Sequence, residues 1–193
     1  MVVGLGNPGS EFARSRHNAG ADAVTRLAER HGGARFRKVR QRAEVAEIRI
    51  DGSVVALIVP TTYMNDSGSA VAPLAKRYGV NEDLARLVVV HDELDLPPGR
   101  IQVKVGGGTA GHNGLRSLQA HLHSSDFIRI RIGVGKPPNA AAGADHVLRR
   151  PSKRDAELIE GCVQRAADAV ELIASAGVEA AMNKFNGSDP LGA

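Results

Sequence analysis

Histidine, aspartate and asparagine residues stand in four polar loops of this sequence, and these residue types suit the activation of water. The first loop contains Asn7 and His17, the second Asn65, the third Asp92, and the fourth Asn113. A carboxylate can orient a histidine that acts as a general base. Neutral amides can bind a polar, peptide-like substrate. The loops therefore favour a reaction in which a general base activates water.

Several other catalytic patterns are missing from the sequence. It has neither a G-x-S-x-G nucleophile elbow nor an H-E-x-x-H metal motif. The single cysteine, Cys162, falls in a helical pattern and is predicted to belong to the core rather than to act as a nucleophile. One cysteine excludes a disulfide framework and a cysteine-rich zinc site, and it is consistent with a reducing compartment. We therefore expect no metal and no cofactor.

Two loops match the G-x-G-x-x-G pattern of dinucleotide-binding proteins, at residues 4–9 and 106–111. A dinucleotide site needs a helix that opens at the glycines, whereas helical periodicity here starts only near Ala21. A basic run at residues 35–42 stands where the ribose-binding acid is expected, and the second loop follows a strand with alternating charges. A nicotinamide-dependent oxidoreductase stays an alternative, and so does a tight turn with solvated polar residues.

The elements that must position these loops alternate between strands and helices. Apolar runs or period-two alternation predict strands at residues 2–5, 46–50, 54–59, 87–90, 101–105 and 128–132. Helical spacing predicts helices at residues 21–28, 67–78, 115–121, 152–175 and 178–185. This order predicts an α/β fold, with a single domain and a central mixed β-sheet flanked by helices. We expect that domain to span residues 1–185, and residues 186–193 to form a flexible C-terminal tail.

The composition fits one globular domain of 193 residues, with 42% hydrophobic and 24% charged residues. No apolar run approaches the ~20 residues of a membrane span, and no signal peptide is visible, so a cytoplasmic protein without a membrane partner is expected. Met1 directly precedes the first strand, a start consistent with an incomplete N-terminus. The net charge of +4 favours polyanions mildly. With only 3% aromatic residues, phosphates rather than stacked bases would be the contact with a nucleic acid.

Taken in order, the loops resemble those of the bacterial peptidyl-tRNA hydrolase family. Five segments carry the match: Gly4-Leu5-Gly6-Asn7-Pro8-Gly9, Arg16-His17-Asn18, Thr62-Tyr63-Met64-Asn65-x-Ser67-Gly68, His91-Asp92-Glu93-Leu94-Asp95 and Gly106-Gly107-Gly108-x-x-Gly111-His112-Asn113-Gly114-Leu115-Arg116-Ser117. The segment Arg129-Ile130-Arg131-Ile132-Gly133-Val134-Gly135-Lys136-Pro137 continues it. Each glycine motif alone is weak, but five in order are specific and cover residues 2–185.

The resemblance implies a hydrolase that cleaves the ester between a peptide and the 3′ ribose of tRNA, which rescues tRNA from peptides dropped by the ribosome. It implies that His17 is the general base and that Asp92 holds its imidazole in the working tautomer. Asn7 and Asn65 would bind the peptidyl and terminal-ribose ends. Asn113 would position the water or stabilise the developing oxyanion.

The same resemblance implies that Tyr63 and His112 lie beside the substrate, and that Lys104 and Arg131 clamp a phosphate of the tRNA. For Arg129 and Arg131 a solvated strand face is the alternative interpretation. The implied partner is tRNA, and we expect a monomer.

Three positions depart from the family pattern, one of them mildly, since Ser15 stands where a threonine is usual. Phe12 stands where a tyrosine is usual, and Val59 stands where a lysine is usual. These departures leave open a non-catalytic RNA-binding protein descended from the hydrolase, although the intact His17 and Asp92 argue against it.

Overall fold

The structure, a computed structural model that describes residues 1–137 and 143–187, is a seven-stranded mixed sheet between two layers of helices. The strands are β1 (Val2–Gly4), β2 (Arg37–Val39), β3 (Ala43–Ile50), β4 (Ser53–Pro60), β5 (Val88–Glu93), β6 (Ile101–Val105) and β7 (Ile128–Gly133). The helices are α1 (Ala19–Arg30), α2 (Ser67–Arg77), α3 (Asn113–Leu122), α4 (Gly143–Leu148), α5 (Lys153–Ala176) and α6 (Val178–Asn186). The predicted α/β architecture is confirmed.

The sheet has the order β2-β3-β4-β1-β5-β7-β6. Its four central strands, β4, β1, β5 and β7, are parallel, while β2, β3 and β6 pair antiparallel at the two sides. The carboxyl ends of the four parallel strands therefore meet at one edge, which is where ligands bind in open α/β sheets.

Both faces of the sheet are buried. Val88 and Val90 of β5 pack with α1, α5 and α6 on one face, while Val89 between them packs with α2 and α3 on the other. A strand with two buried faces is apolar at consecutive positions, which explains the continuous apolar run that predicts β5.

Strand β5 extends beyond its predicted end at residue 90. The ladder to β7 continues through Asp92, which pairs with Ile132, to Glu93. The prediction that residues 91–93 form a loop is therefore wrong, because Asp92 and Glu93 find partners on neighbouring elements and His91 bonds the backbone of the strand itself. The sequence patterns also fail to predict strand β2 and helix α4, because both elements are short.

The last helix ends at Asn186, one residue beyond the predicted end of the domain. Its side-chain amide donates to the carbonyl of Val103 and accepts from the Val103 N–H, which ties α6 to the edge strand β6. The flexible tail predicted at residues 186–193 therefore cannot begin at Asn186. Residues 188–193 lie outside the described residues, and there the tail stays a prediction.

Glycines near the start of the chain allow α1 to lie against the sheet. A Cβ added to Gly20 would stand 2.2 Å from the carbonyl oxygen of Val90, and one added to Gly4 would stand 2.4 Å from that of Gly20. Helix α1 opens only at Ala19, ten residues after Gly9, with two short 3₁₀ turns between them. The first glycine pattern therefore serves helix–sheet packing, and the pyrophosphate geometry of a dinucleotide site is missing from it.

Candidate active site

The predicted catalytic residues meet at the carboxyl edge of the parallel strands. A 3₁₀ turn at Arg16–Asn18, after β1, holds His17, and Asp92 is the last residue but one of β5. The loop after β6 leads to His112 and then to Asn113, the first residue of α3. Three separate elements thus bring one carboxylate and two imidazoles together.

His17 and Asp92 form a buried pair. The His17 Nδ1 lies 2.8 Å from the Asp92 Oδ1, and both side chains are more than nine-tenths buried. An ionised carboxylate only accepts, so Nδ1 carries the proton and donates it. No donor of residues 1–137 or 143–187 reaches the His17 Nε2, so its lone pair is free beside the cleft, which is the state a general base requires.

His112 also binds Asp92, through its other ring nitrogen. Its Nε2 lies 2.9 Å from the Asp92 Oδ1, while its Nδ1 accepts the backbone N–H groups of Gly114 and Leu115 at the start of α3. His112 is therefore the N-cap of α3, an unusual side chain for that position. Because the cap uses its lone pair and Asp92 receives its proton, His112 has no nitrogen free to act as a base.

Asp92 is ionised in this environment. Its burial raises the pKa of the carboxyl, but the imidazoles of His112 and His17 and their hydrogen bonds lower the pKa more, to well below the usual range. The two histidine rings lie 4.9 Å apart between centroids. A fixed negative charge thus stands where protonation of His17 would place a positive one.

A third histidine, His91, completes this cluster and was not among the predicted site residues. It is 1% exposed, its Nδ1 lies 2.7 Å from the carbonyl oxygen of Asp92, and its ring contacts that of His112 edge-on at 5.0 Å. Burial lowers its pKa to about 3. His91 is therefore a neutral packing partner of His112.

Asn7 is held rigidly at the mouth of the site. Its Oδ1 accepts the N–H of Met64 at 2.8 Å, and its backbone exchanges two hydrogen bonds with the side-chain amide of Asn18. Because Oδ1 is occupied, Asn7 presents its Nδ2 donor to the cleft. Sequence reasoning missed the supporting role of Asn18, whose only signal was its place directly after His17.

A cleft opens on both sides of His17. One part, of about 240 Å³, reaches Asp92 and His112, and the other, of about 340 Å³, reaches Asn7. Both parts share His17, Asn113 and Val147. The second part is also lined by Phe12, Tyr63, Met64, Asn65 and Leu148. All the predicted substrate-binding residues therefore line one continuous cleft, with an apolar rim that includes the exposed side chains of Tyr63 and Leu148.

Arg16 fixes the helix that closes one side of this cleft. It is buried, and its guanidinium donates to the carbonyls of His146, Arg149 and Arg150 at 3.3–3.4 Å and to the carboxylate of Asp155 at 3.2 Å. A cation at the C-terminal end of α4 satisfies carbonyls that lack helical partners. Arg16 thus places Val147 beside His17.

The three basic residues near the site, Lys104, Arg129 and Arg131, have different partners. Arg131 donates through Nε and Nη2 to the Glu93 carboxylate, each at 2.9 Å, and through Nη1 to Gln102. Arg129 is 3% exposed and donates to the main-chain carbonyls of Gly107, Gly108 and Ser125. Lys104 is exposed, and no carboxylate of residues 1–137 or 143–187 forms an ion pair with it. The solvated strand face considered for the two arginines is thus wrong for Arg129.

The remaining candidates have simple accounts. His17, Asp92 and His112 offer ligand atoms within 4.8 Å of one another, but the hydrogen bonds of the cluster use the nitrogens that face Asp92. Cys162 is fully buried in α5, and burial raises its thiol pKa to about 11, so it is a core residue as predicted. Val59 is partly buried against the cluster of α1 and α5, on the core side.

The chain is similar to known proteins in both its sequence and its fold. The family model described as peptidyl-tRNA hydrolase matches residues 1–191. A peptidyl-tRNA hydrolase of Chloroflexus aggregans is 46% identical over 96% of this chain and 98% of its own length, and one of Mycolicibacterium vanbaalenii is 47% identical over 95% and 94%. The crystal structure of the peptidyl-tRNA hydrolase of Acinetobacter baumannii superposes with a TM-score of 0.91 at 39% identity, covering 98% of this chain and 95% of that one.

Proposed function

The chain belongs to the peptidyl-tRNA hydrolase family, and we propose that His17 is the general base with which it hydrolyses peptidyl-tRNA. The observation that carries the proposal is the hydrogen bond of 2.8 Å between His17 and Asp92, which leaves the His17 Nε2 free at the cleft. His112, the neighbouring candidate, has both nitrogens engaged.

In this mechanism His17 Nε2 removes a proton from a water molecule as the water attacks the ester carbonyl. The positive imidazolium that forms is stabilised by the ionised Asp92, whose charge is already held in place by two N–H donors. Asn113, which lines both parts of the cleft, donates its amide to the developing oxyanion. The imidazolium then returns the proton to the departing 3′ oxygen of the ribose.

The cleft selects a peptide rather than a free amino group. Asn7 and Asn65 offer neutral amides, with Tyr63 at the rim, while Asp92 is engaged with two histidines through Oδ1 and Glu93 with Arg131. An α-amino group has a reference pKa of ~7.7–8.0 and is therefore largely cationic at neutral pH. It would lose water without gaining an acceptor, so unblocked aminoacyl-tRNA should be a poor substrate.

The nucleic acid is bound through its phosphates. Lys104 supplies a positive charge that no described carboxylate pairs with, and Arg131 adds a guanidinium whose charge Glu93 partly offsets. We place the reaction in the cytoplasm, with one copy of the chain and without a metal. None of the helices in the described part of the chain is long and apolar enough to cross a membrane.

The test compares two substrates that differ only at the amino group. Purified protein is given aminoacyl-tRNA and its N-acetyl derivative, each with and without excess EDTA, and the release of free tRNA is followed. The proposal expects rapid hydrolysis of the N-acetyl substrate, slow hydrolysis of the free amine, and no effect of EDTA. Equal rates for the two substrates would overturn the role of the neutral amides, and loss of activity with EDTA would overturn the metal-free mechanism.

A further inference from the structure

The loop that carries His112 is anchored from below by a buried arginine. Arg129 Nη1 donates to the carbonyl of Gly108 and Nη2 to that of Gly107, each at 2.6 Å, and Nη2 reaches the carbonyl of Ser125 at 3.4 Å. Its guanidinium lies 4.9 Å from the ring centroid of Phe127. A planar guanidinium can hold two carbonyls at once, so the arginine fixes the orientation of two successive peptide groups.

This orientation turns two amide N–H groups outward. In a planar trans peptide the C=O and the N–H point in opposite directions. Since the carbonyls of Gly107 and Gly108 point at Arg129, the N–H groups of Gly108 and Thr109 point away from it. Within residues 1–137 and 143–187, no atom accepts a hydrogen bond from either N–H group. Successive N–H groups that share a direction are an anion-binding arrangement.

An exposed cation stands on β6 directly before the loop. Lys104 is the cross-strand partner of Arg129, and its Nζ would stand 3.0 Å from a Cβ added to Gly107. The glycine leaves room for the lysine to lie over the loop, and Lys104 has no ion-pair partner in the described part of the chain. Thr109 is four residues from Asn113, so this position lies within about 14 Å of the catalytic cleft.

Lys104 is a phosphate contact that the family resemblance already implies, and we propose that the N–H groups of Gly108 and Thr109 complete it as a phosphate cradle for the acceptor end of tRNA, with Arg129 as its positioning residue. The proposal rests on the proposed function, because it assigns the phosphate to tRNA. Arg129 itself does not touch the phosphate, since its guanidinium is buried beneath the loop. The main-chain donors of the cradle thus add to the charge of Arg131, which the carboxylate of Glu93 partly offsets.

Backbone amide NMR tests the cradle directly. Inorganic phosphate and an RNA minihelix with a free 3′ end are titrated separately into the ¹⁵N-labelled protein. Both should move the Gly108 and Thr109 amide protons downfield, while the amides of Gly32 and Gly33, in the exposed turn after α1, stay in place. The proposal would be overturned if the minihelix binds and both cradle amides stay unmoved. It would also be overturned if inorganic phosphate shifts these amides and the minihelix does not.

Substitutions test whether Arg129 positions the cradle or binds the phosphate itself. Arg129→Lys keeps the charge but cannot hold both carbonyls, so minihelix affinity should fall roughly tenfold or more. The slope of log affinity against log salt should stay unchanged, because uncharged donors are lost. Lys104→Ala should instead flatten that slope by roughly 0.7–0.9. If Arg129→Lys binds as well as the wild type, Arg129 does not position the cradle and the proposal fails.

A second pair of variants covers the possibility that Arg129→Lys does not fold. Thr109→Pro removes one cradle N–H and leaves Arg129 in place, whereas Thr109→Ala keeps that N–H and serves as its control. We expect weaker minihelix binding for the proline variant only, and equal affinities would contradict the cradle. Hydrolysis of N-acetyl-aminoacyl-tRNA by the wild type is measured in parallel. Its absence would refute the proposed function, whereas activity without the amide shifts would refute the cradle alone.

Discussion

His91 should make the stability of the protein depend on pH in weak acid. An unfolded histidine has a pKa near 6.5, whereas the buried His91 has a pKa of about 3. Between these values the unfolded chain binds about one more proton than the folded protein. The stability that His91 contributes is complete above the unfolded pKa and is lost as the pH falls towards the folded pKa. The slope is about 1.4 kcal/mol of unfolding free energy per pH unit.

Urea denaturation at pH 5.5 and 4.5 measures this slope. In His91→Asn, whose amide can still donate to the carbonyl of Asp92, the loss of unfolding free energy across this interval should be smaller than in the wild type by up to about 1.4 kcal/mol. Val89→Ala, on the same strand and face, removes packing without removing a titrating group and should keep the wild-type slope. Equal slopes for His91→Asn and the wild type would show that His91 is not held neutral by burial.

Three further predictions concern the site. Asp92→Asn should lower turnover less than His17→Ala, and its effect should largely vanish in a His17→Ala background, because residues that act as a unit are not additive; rate losses that multiply would contradict this. Lys104→Ala should raise the KM for the tRNA substrate and spare kcat, which steady-state kinetics at several salt concentrations would check. Arg131→Ala leaves the carboxylate of Glu93 buried without its partner and should lower the free energy of unfolding by about 1–3 kcal/mol, a loss that an unchanged urea midpoint would disprove.

The sequence predicts the frame of the site better than its details. Apolar runs predict the central strands because both faces of the sheet are covered, and the order of motifs places His17 and Asp92 together. The sequence does not predict the end of β5, because His91 and Asp92 are polar residues of the kind that is common in loops. Only the fold shows that each finds its hydrogen-bond partner on another element or on the neighbouring backbone.

Roles that depend on distant partners are equally hidden. The alternation in β7 shows Arg129 and Arg131 on one face, but Arg129 meets carbonyls about twenty residues away and Arg131 meets Glu93 on the adjacent strand. The capping role of His112 is similarly invisible, since histidine is not a typical N-cap residue. Pattern alone cannot assign these partners, because they are set by sheet order and loop path.

Single-turnover hydrolysis of N-acetyl-aminoacyl-tRNA by the wild type and by His17→Ala tests the central claim most directly. If His17 is the general base, the variant should bind deacylated tRNA with wild-type affinity and hydrolyse the substrate ~10²–10⁴-fold more slowly. A folded His17→Ala protein that hydrolyses the substrate at a rate near that of the wild type would contradict the mechanism.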